Sequence, residues 1–169
     1  GYVSADFYHH AVAYVFEPIL AHHDHQQVEI FCYYNTLKTD EVTARLQQYA
    51  DHWVSCANLS EEALADRIKA DQIDILVDLS GHTAGHRLLV FASKPAPVQV
   101  TFLGYPNTTG LKSIDYRITD SYVDPAGTAD QFSSETLVRL PGSYFCYRPR
   151  DDTPPLNELP ALHTGYLTF

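Results

Sequence analysis

Methionine is absent from all 169 residues, position 1 included. The chain opens on "GYVS" and closes on "GYLTF", and both read as strands cut midway. Together these features predict a piece of a longer protein. Cysteine is scarce: Cys32, Cys56 and Cys146 are far apart and odd in number. Without a C-x-x-C pair, neither a zinc ribbon nor a thioredoxin-like motif is expected. Buried, reduced thiols in a cytoplasmic protein fit better. No apolar run approaches the roughly 18–20 residues that span a bilayer. No basic segment leads into an apolar stretch as in a signal peptide, so no membrane partner is expected. Basic residues are few, 11 Lys and Arg against 21 Asp and Glu, for a net charge of −10. They are scattered singly, whereas nucleic-acid binders concentrate cations to displace counterions. No nucleic-acid partner is therefore expected.

Several chemical signatures are missing as well. There is no G-x-G-x-x-G at the first strand and no G-x-x-x-x-G-K-[ST], so dinucleotide and Walker-type phosphate binding lack their motifs. No G-x-S-x-G elbow suggests an α/β-hydrolase.

What is present is a globular composition, 45% apolar and 19% charged, with alternating strand and helix signals. Val28–Tyr34 is β-branched and aromatic. Asp40 can cap a helix that aligns Val42, Leu46, Tyr49 and Ala50 on one face. His52–Cys56 is a short strand. Ser60 caps the next helix, with Leu59 and Leu64 placed as a hydrophobic staple. Ile73–Gly81 reads as a strand covered on both sides. A short helix over 86–92 stops at "KPAP", and "VQVTFL", "YRITD" and "TLVRL" are three more strands. Strands alternating with helices predict an α/β fold: a Rossmann-like, mostly parallel sheet. Residues 148–163 are Pro-rich and polar, as in a linker.

In such sheets ligands bind outside the carboxyl ends of the strands. Three unusual loops fall there: "SADFYHH", "SGHTAGH" and "GYPNTTG". His9 and His10 precede a helix predicted over Ala11–Ala21. The helix dipole disfavours their protonated forms, and a neutral His can take a proton or position a hydroxyl. The alternative is a pair that only caps the helix. "HHDH", His22–His25, sits at that helix's far end and reads as a solvated terminus. His82 and His86 are four apart but lack the Glu of H-E-x-x-H, so no metal is expected. His82 is retained as a polar group of the cleft. In the third loop, Gly104 and Gly110 permit positive φ or close backbone approach, and Pro106 stiffens the turn. Thr108 and Thr109 offer hydroxyls and exposed amides suited to sugar or phosphate oxygens.

The stretches "GYVSADFYHHAVAY", "IDILVDLSGHTAGHRL", "KPAPVQVTFLGYPNTTG" and "IDYRITDSYVDP" resemble, in that order, the catalytic region of the O-GlcNAc transferase/SPINDLY family. The likeness runs from Gly1 to about Arg148 and resumes at "GYLTF". It implies the first lobe of a GT-B glycosyltransferase. The expected domains are a lobe over 1–148, a linker over 149–163, and the start of a second, nucleotide-binding lobe at 164–169. The family moves a sugar from a nucleotide sugar to Ser or Thr hydroxyls of acceptor proteins, with inversion and without a metal or other cofactor. The resemblance implies that tetratricopeptide repeats precede this lobe. Carried over by motif, His10 positions or helps deprotonate the acceptor. Gly104, Tyr105, Pro106, Thr108 and Gly110 match the loop lining the sugar site. His82 stands where some members have Tyr, and His9 and His86 lie outside the pattern. The Asn-Thr-Thr loop and "SGHT" are closer to the SPINDLY branch, leaving UDP-GlcNAc and GDP-fucose both open as donors. A non-catalytic protein-binding module and a sugar-nucleotide epimerase or hydrolase on the same scaffold are the alternatives.

Overall fold

The structure is a computed structural model that describes residues 1–149 and 153–168. Residues 150–152 of the expected linker, and Phe169 of the expected second-lobe start, lie outside the described residues. The elements follow in the order β1 (Tyr2–Ser4), α1 (Ala11–Leu20), β2 (Phe31–Tyr34), α2 (Glu41–Gln47), β3 (His52–Ser55), α3 (Glu61–Ala70), β4 (Ile75–Asp78), α4 (Leu88–Ala92), β5 (Val98–Thr101), β6 (Tyr116–Asp120), β7 (Thr136–Leu140) and α5 (Ala161–Thr164).

The seven strands form one sheet in the order β3-β2-β1-β4-β5-β6-β7. Every neighbouring pair is parallel, so the sheet is wholly and not just mostly parallel. Period-2 alternation sends the side chains to two cores. Cys32, Tyr34, Val77 and Val100 pack under α1 and α2 against Phe16, Leu20, Val42 and Leu46. Val3, Tyr33, Val54 and Leu76 pack on the other face against Leu64, Ile68, Leu88 and Phe91. Helices on both faces give the Rossmann-like layout, with the direction of winding reversing between β1 and β4.

Helix starts follow their caps. Asp40 accepts the Thr43 amide at 3.0 Å, and the Thr43 hydroxyl bonds the Asp40 amide at 3.2 Å. Ser60 accepts the Ala63 amide at 3.1 Å. Leu59 and Leu64 share one core, as a staple requires. At the end of α1, His22 Nδ1 donates to the Pro18 carbonyl at 2.7 Å, one of the acceptors a helix end leaves open.

Strands β3 and β5 end one and two residues earlier than expected, while β2 and β4 fall furthest short, and the hydrogen bonding explains these two. The Val28 amide turns back to the Asp24 carbonyl, and the Ile30 amide is taken by the Asp51 carboxylate at 2.7 Å. Pairing of β2 with β3 therefore begins at Phe31. In β4, Ile75 is 52% exposed, so coverage on both sides begins only at Leu76. Beyond Asp78 only the Leu79 amide still reaches β1, because the Ser80 and Gly81 amides fold back onto the Asp78 carboxylate. "GYVS" supplies β1, but residues 165–168 form no strand: no neighbouring strand offers them a ladder, and α5 ends at Gly165 with φ +74°.

Candidate functional site

Strands β1, β4 and β5 lie side by side and point the same way. Their following loops leave one edge of the sheet, at the point where winding reverses. Glycines let these loops interlock. A Cβ on Gly85 would stand 2.8 Å from that of Ala5, joining the second loop to the first. A Cβ on Gly81 would overlap that of Tyr105, and one on Gly104 would overlap the Leu79 carbonyl oxygen. These last two contacts join the second loop to the third.

The first loop is tied from both sides. Ser4 Oγ accepts the Asp6 amide at 3.0 Å. The α2 cap reaches across: Asp40 accepts the His9 amide at 2.7 Å, and the Thr43 hydroxyl donates to the Phe7 carbonyl at 2.8 Å. His10 is the N-cap of α1. Its Nδ1 accepts the Val12 amide at 3.3 Å and lies 3.8 Å from Asp6 Oδ2. Burial raises the Asp6 carboxyl above the ordinary value, with His10 and Lys38 pulling the other way.

The second loop is built on two residues that the motif reading passed over. Asp78, buried, accepts the amides of Ser80 (3.0 Å) and Gly81 (2.8 Å) and the Thr101 hydroxyl (2.8 Å). Burial pushes its carboxyl up, more than those three bonds pull it down. A sequence signal existed, since Asp commonly accepts the amide two residues on. Arg87 is also buried, and its guanidinium serves four acceptors. They are Asn35 Oδ1 (2.9 Å), Glu61 Oε1 (2.7 Å), and the carbonyls of Cys56 (2.8 Å) and Leu59 (2.7 Å). One side chain thus fastens the loops after β2 and β3 to the loop after β4. No local signal announces this, because its partners are 26 to 52 residues away. Lysine cannot present that planar fork. Arg87→Lys is expected to cost about 2 kcal/mol through carbonyls left unpaired, measured by urea unfolding.

The third loop begins with a tight turn. The Gly104 amide donates to the Phe102 carbonyl at 2.9 Å around Leu103, whose φ is +76°. Gly110 also has positive φ, +75°. The two glycines therefore serve different ends, close approach at Gly104 and a left-handed turn at Gly110. The groups expected to be free in this loop are not free. Glu135 takes the Thr109 amide at 2.7 Å and hydroxyl through Oε1, and the Thr108 hydroxyl at 2.7 Å through Oε2. The Thr108 amide bonds Asn107 Oδ1 at 2.8 Å, and the Gly110 amide bonds Thr108 Oγ1 at 3.1 Å.

Of the sequence-selected residues, His82, Gly104, Tyr105 and Thr109 come together. His82 Nε2 donates to the Thr109 carbonyl at 2.9 Å, and its ring meets Tyr105 edge-on at 5.3 Å. The neutral His82 ring therefore keeps Nδ1 as an acceptor. Pro106 and Gly110 are exposed on the rim of the same loop. His10 stands on the first loop, with Val12, Asp6 and Tyr8 around it. The arrangement is a polar edge whose imidazoles, His10 and His82, suit oxygen-rich ligands. A polar depression of about 410 Å³ lined by His25, Gln26, Gln27, Val28, Glu29 and Asp51 lies at the opposite edge, before β2 and β3. Ligands of such sheets bind at the carboxyl edge, so that depression is set aside. No helix among the described residues is long and apolar enough to cross a membrane.

Comparison with known proteins matches this geometry to a family. The chain is 43% identical over 173 residues to "Probable UDP-N-acetylglucosamine--peptide N-acetylglucosaminyltransferase SPINDLY" of Oryza sativa subsp. japonica, covering 100% of this chain and 19% of the relative. It is 37% identical over 149 residues to "UDP-N-acetylglucosamine--peptide N-acetylglucosaminyltransferase" of Caenorhabditis elegans, covering 86% of this chain and 13% of that one. The chain thus spans less than a fifth of these curated relatives. Among solved structures, "Thermobaculum terrenum O-GlcNAc transferase mutant - K341M" superposes with a TM-score of 0.91 at 41% identity, covering 94% of this chain and 30% of that one. The profile of Glycosyl transferase family 41 matches residues 1–158; with its parallel sheet and three clasped loops, the chain belongs to that family.

Proposed function

We propose that this chain is the first lobe of a two-lobed GT-B protein O-glycosyltransferase that works in the cytoplasm. The observation that carries the reading is the convergence of the three loops on the carboxyl edge of β1, β4 and β5. The names of the relatives favour UDP-GlcNAc as donor and a peptide as acceptor; Ser or Thr hydroxyls are the acceptor groups of this proposal. GDP-fucose is the competing donor, on the form of the 102–110 loop. The missing remainder supplies the second lobe and, upstream, tetratricopeptide repeats.

In the proposed reaction the acceptor oxygen attacks the anomeric carbon directly. The bond from that carbon to the diphosphate oxygen breaks, the nucleoside diphosphate leaves, and the acceptor proton passes to His10 or, where His10 only orients the acceptor, to solvent. One displacement inverts the anomeric centre. No metal is required if the second lobe stabilises the leaving diphosphate. His10 orients the acceptor or takes its proton, and the wall formed by His82, Gly104, Tyr105, Pro106, Thr108, Thr109 and Gly110 holds the sugar. Holding both reactants in line supplies much of the rate. Free thiols at Cys32, Cys56 and Cys146 accord with a reducing compartment.

The test is to incubate the full-length protein with UDP-GlcNAc or GDP-fucose and an acceptor protein, and to read product masses. An acceptor heavier by one N-acetylhexosamine or one deoxyhexose names the donor. Free sugar alone would mean hydrolysis, an altered nucleotide sugar epimerisation, and binding without turnover a docking module. Any of these three results overturns the transferase reading.

A further inference from the structure

Glu135 lies 26 residues beyond Thr109, just before β7, outside every motif that marked the site. It is only 4% exposed. Burying a carboxylate is costly unless its oxygens are fully engaged, and a buried one normally has a cationic partner. Among the described residues no Lys, Arg or His pairs with it. Its charge is met by donors from a single turn: the Thr109 amide, the Thr109 hydroxyl and the Thr108 hydroxyl. Burial pushes its carboxyl up, but those bonds outweigh burial and hold it below the ordinary glutamate value, so it is ionised at neutral pH.

The turn is fastened further around these bonds. Thr108 Oγ1 accepts the Ser134 amide at 3.1 Å, and Thr109 Oγ1 accepts the Leu111 amide at 3.3 Å. On its other side, the Thr109 carbonyl receives the His82 Nε2 proton at 2.9 Å. A continuous chain therefore runs from the Glu135 carboxylate through the Thr109 peptide to the His82 ring. Moving Glu135 would loosen the turn and release the tautomer of His82 together.

We infer that Glu135 is the positioning residue of the sugar-facing loop, and that Thr108 and Thr109 shape the site through Glu135 and not by offering their own hydroxyls to the sugar. This rests on the transferase reading above for its kinetic consequence, but its structural consequence does not.

The test uses the full-length protein in two arms. Amide hydrogen exchange of Glu135→Ala should accelerate over residues 104–111 while β1 and β4 stay protected. In turnover, kcat/KM for the nucleotide sugar should fall by about two orders of magnitude, the scale reported for small misplacements of a bound reactant. The loss should fall mainly on the donor KM. Glu135→Gln keeps an oxygen for Thr109 but turns an amide toward the Thr108 hydroxyl, whose lone pairs already accept the Ser134 and Gly110 amides, and should regain part of it. Adding Thr108→Val and Thr109→Val to the Glu135→Ala protein also frees the Ser134, Gly110 and Leu111 amides, and should add only a small further loss of kcat/KM. Unaltered exchange in Glu135→Ala would overturn the proposal, as would a further large loss when the threonines are also replaced. If Glu135→Ala fails to fold, Thr109→Val replaces it: faster exchange over residues 104–111 supports the proposal, and unaltered exchange overturns it. A wild-type protein inert with both donors sinks the transferase reading, and the exchange arm still decides the role of Glu135.

Discussion

Replacing Gly104 by alanine is expected to destabilise the protein by about 3 kcal/mol or more, at the upper end for forcing extra volume into a packed site. The added Cβ would overlap the Leu79 carbonyl oxygen and stand 2.8 Å from the Leu79 carbonyl carbon and 3.2 Å from Ser80 Cα. All three are backbone atoms, so no side chain can rotate away. Leu79 cannot yield easily. It is fully buried, and its amide is bonded to the Val3 carbonyl at 3.1 Å. The third loop cannot yield easily either, because Leu103 is buried and already sits at φ +76°, a conformation that itself costs about 1–3 kcal/mol. Gly110 is the internal control. Its φ is +75°, yet a Cβ there would meet nothing within 4 Å. Gly110→Ala should therefore cost only the left-handed penalty of about 1–2 kcal/mol. In thermal unfolding Gly104→Ala should lower the midpoint by about 6–12 °C for a lobe of this size, and Gly110→Ala by clearly less. Equal losses would mean that the interlock of the two loops is not what Gly104 provides.

That contrast also shows how far the sequence could be read. The strands "YRITD" and "TLVRL" match β6 and β7 residue for residue, because β-branched runs bounded by turn signals are local facts. The caps at Asp40 and Ser60 were legible for the same reason. The ends of β2 and β4 were not, because they are set by carboxylates that capture amides, Asp51 at one and Asp78 at the other. In the site, parallel topology was enough to bring three loops to one edge. Which of their groups remain available was beyond a single-loop reading. Thr108 and Thr109 look like ligand donors until Glu135 arrives from 26 residues away, and Arg87 looks like a surface cation until four distant acceptors surround it.

His10 carries the largest expected effect on turnover, and its geometry separates two roles. Its Nδ1 accepts the Val12 amide, so the neutral ring carries its proton on Nε2. In that state Nε2–H donates: it can orient an acceptor oxygen but cannot remove its proton. To act as a base through Nε2, the ring must place its proton on Nδ1, give up the Val12 amide and turn toward Asp6, 3.8 Å away. His10→Ala should lower kcat by about 10²–10⁴-fold, the range for a positioned acid–base group, with nucleotide affinity unchanged. It also removes a helix cap, worth about 1 kcal/mol. His10→Asn separates the two losses, since Asn is a strong N-cap with no imidazole. Its thermal midpoint should return to the wild-type value while its kcat stays low. Recovery of both would reduce His10 to a cap. Asp6→Asn then distinguishes the roles. If the ring works as a base against Asp6, this change lowers kcat and alters its pH profile. If the ring only orients the acceptor from Nε2–H, kcat and the profile stay near those of the parent, because the Val12 amide already fixes the tautomer.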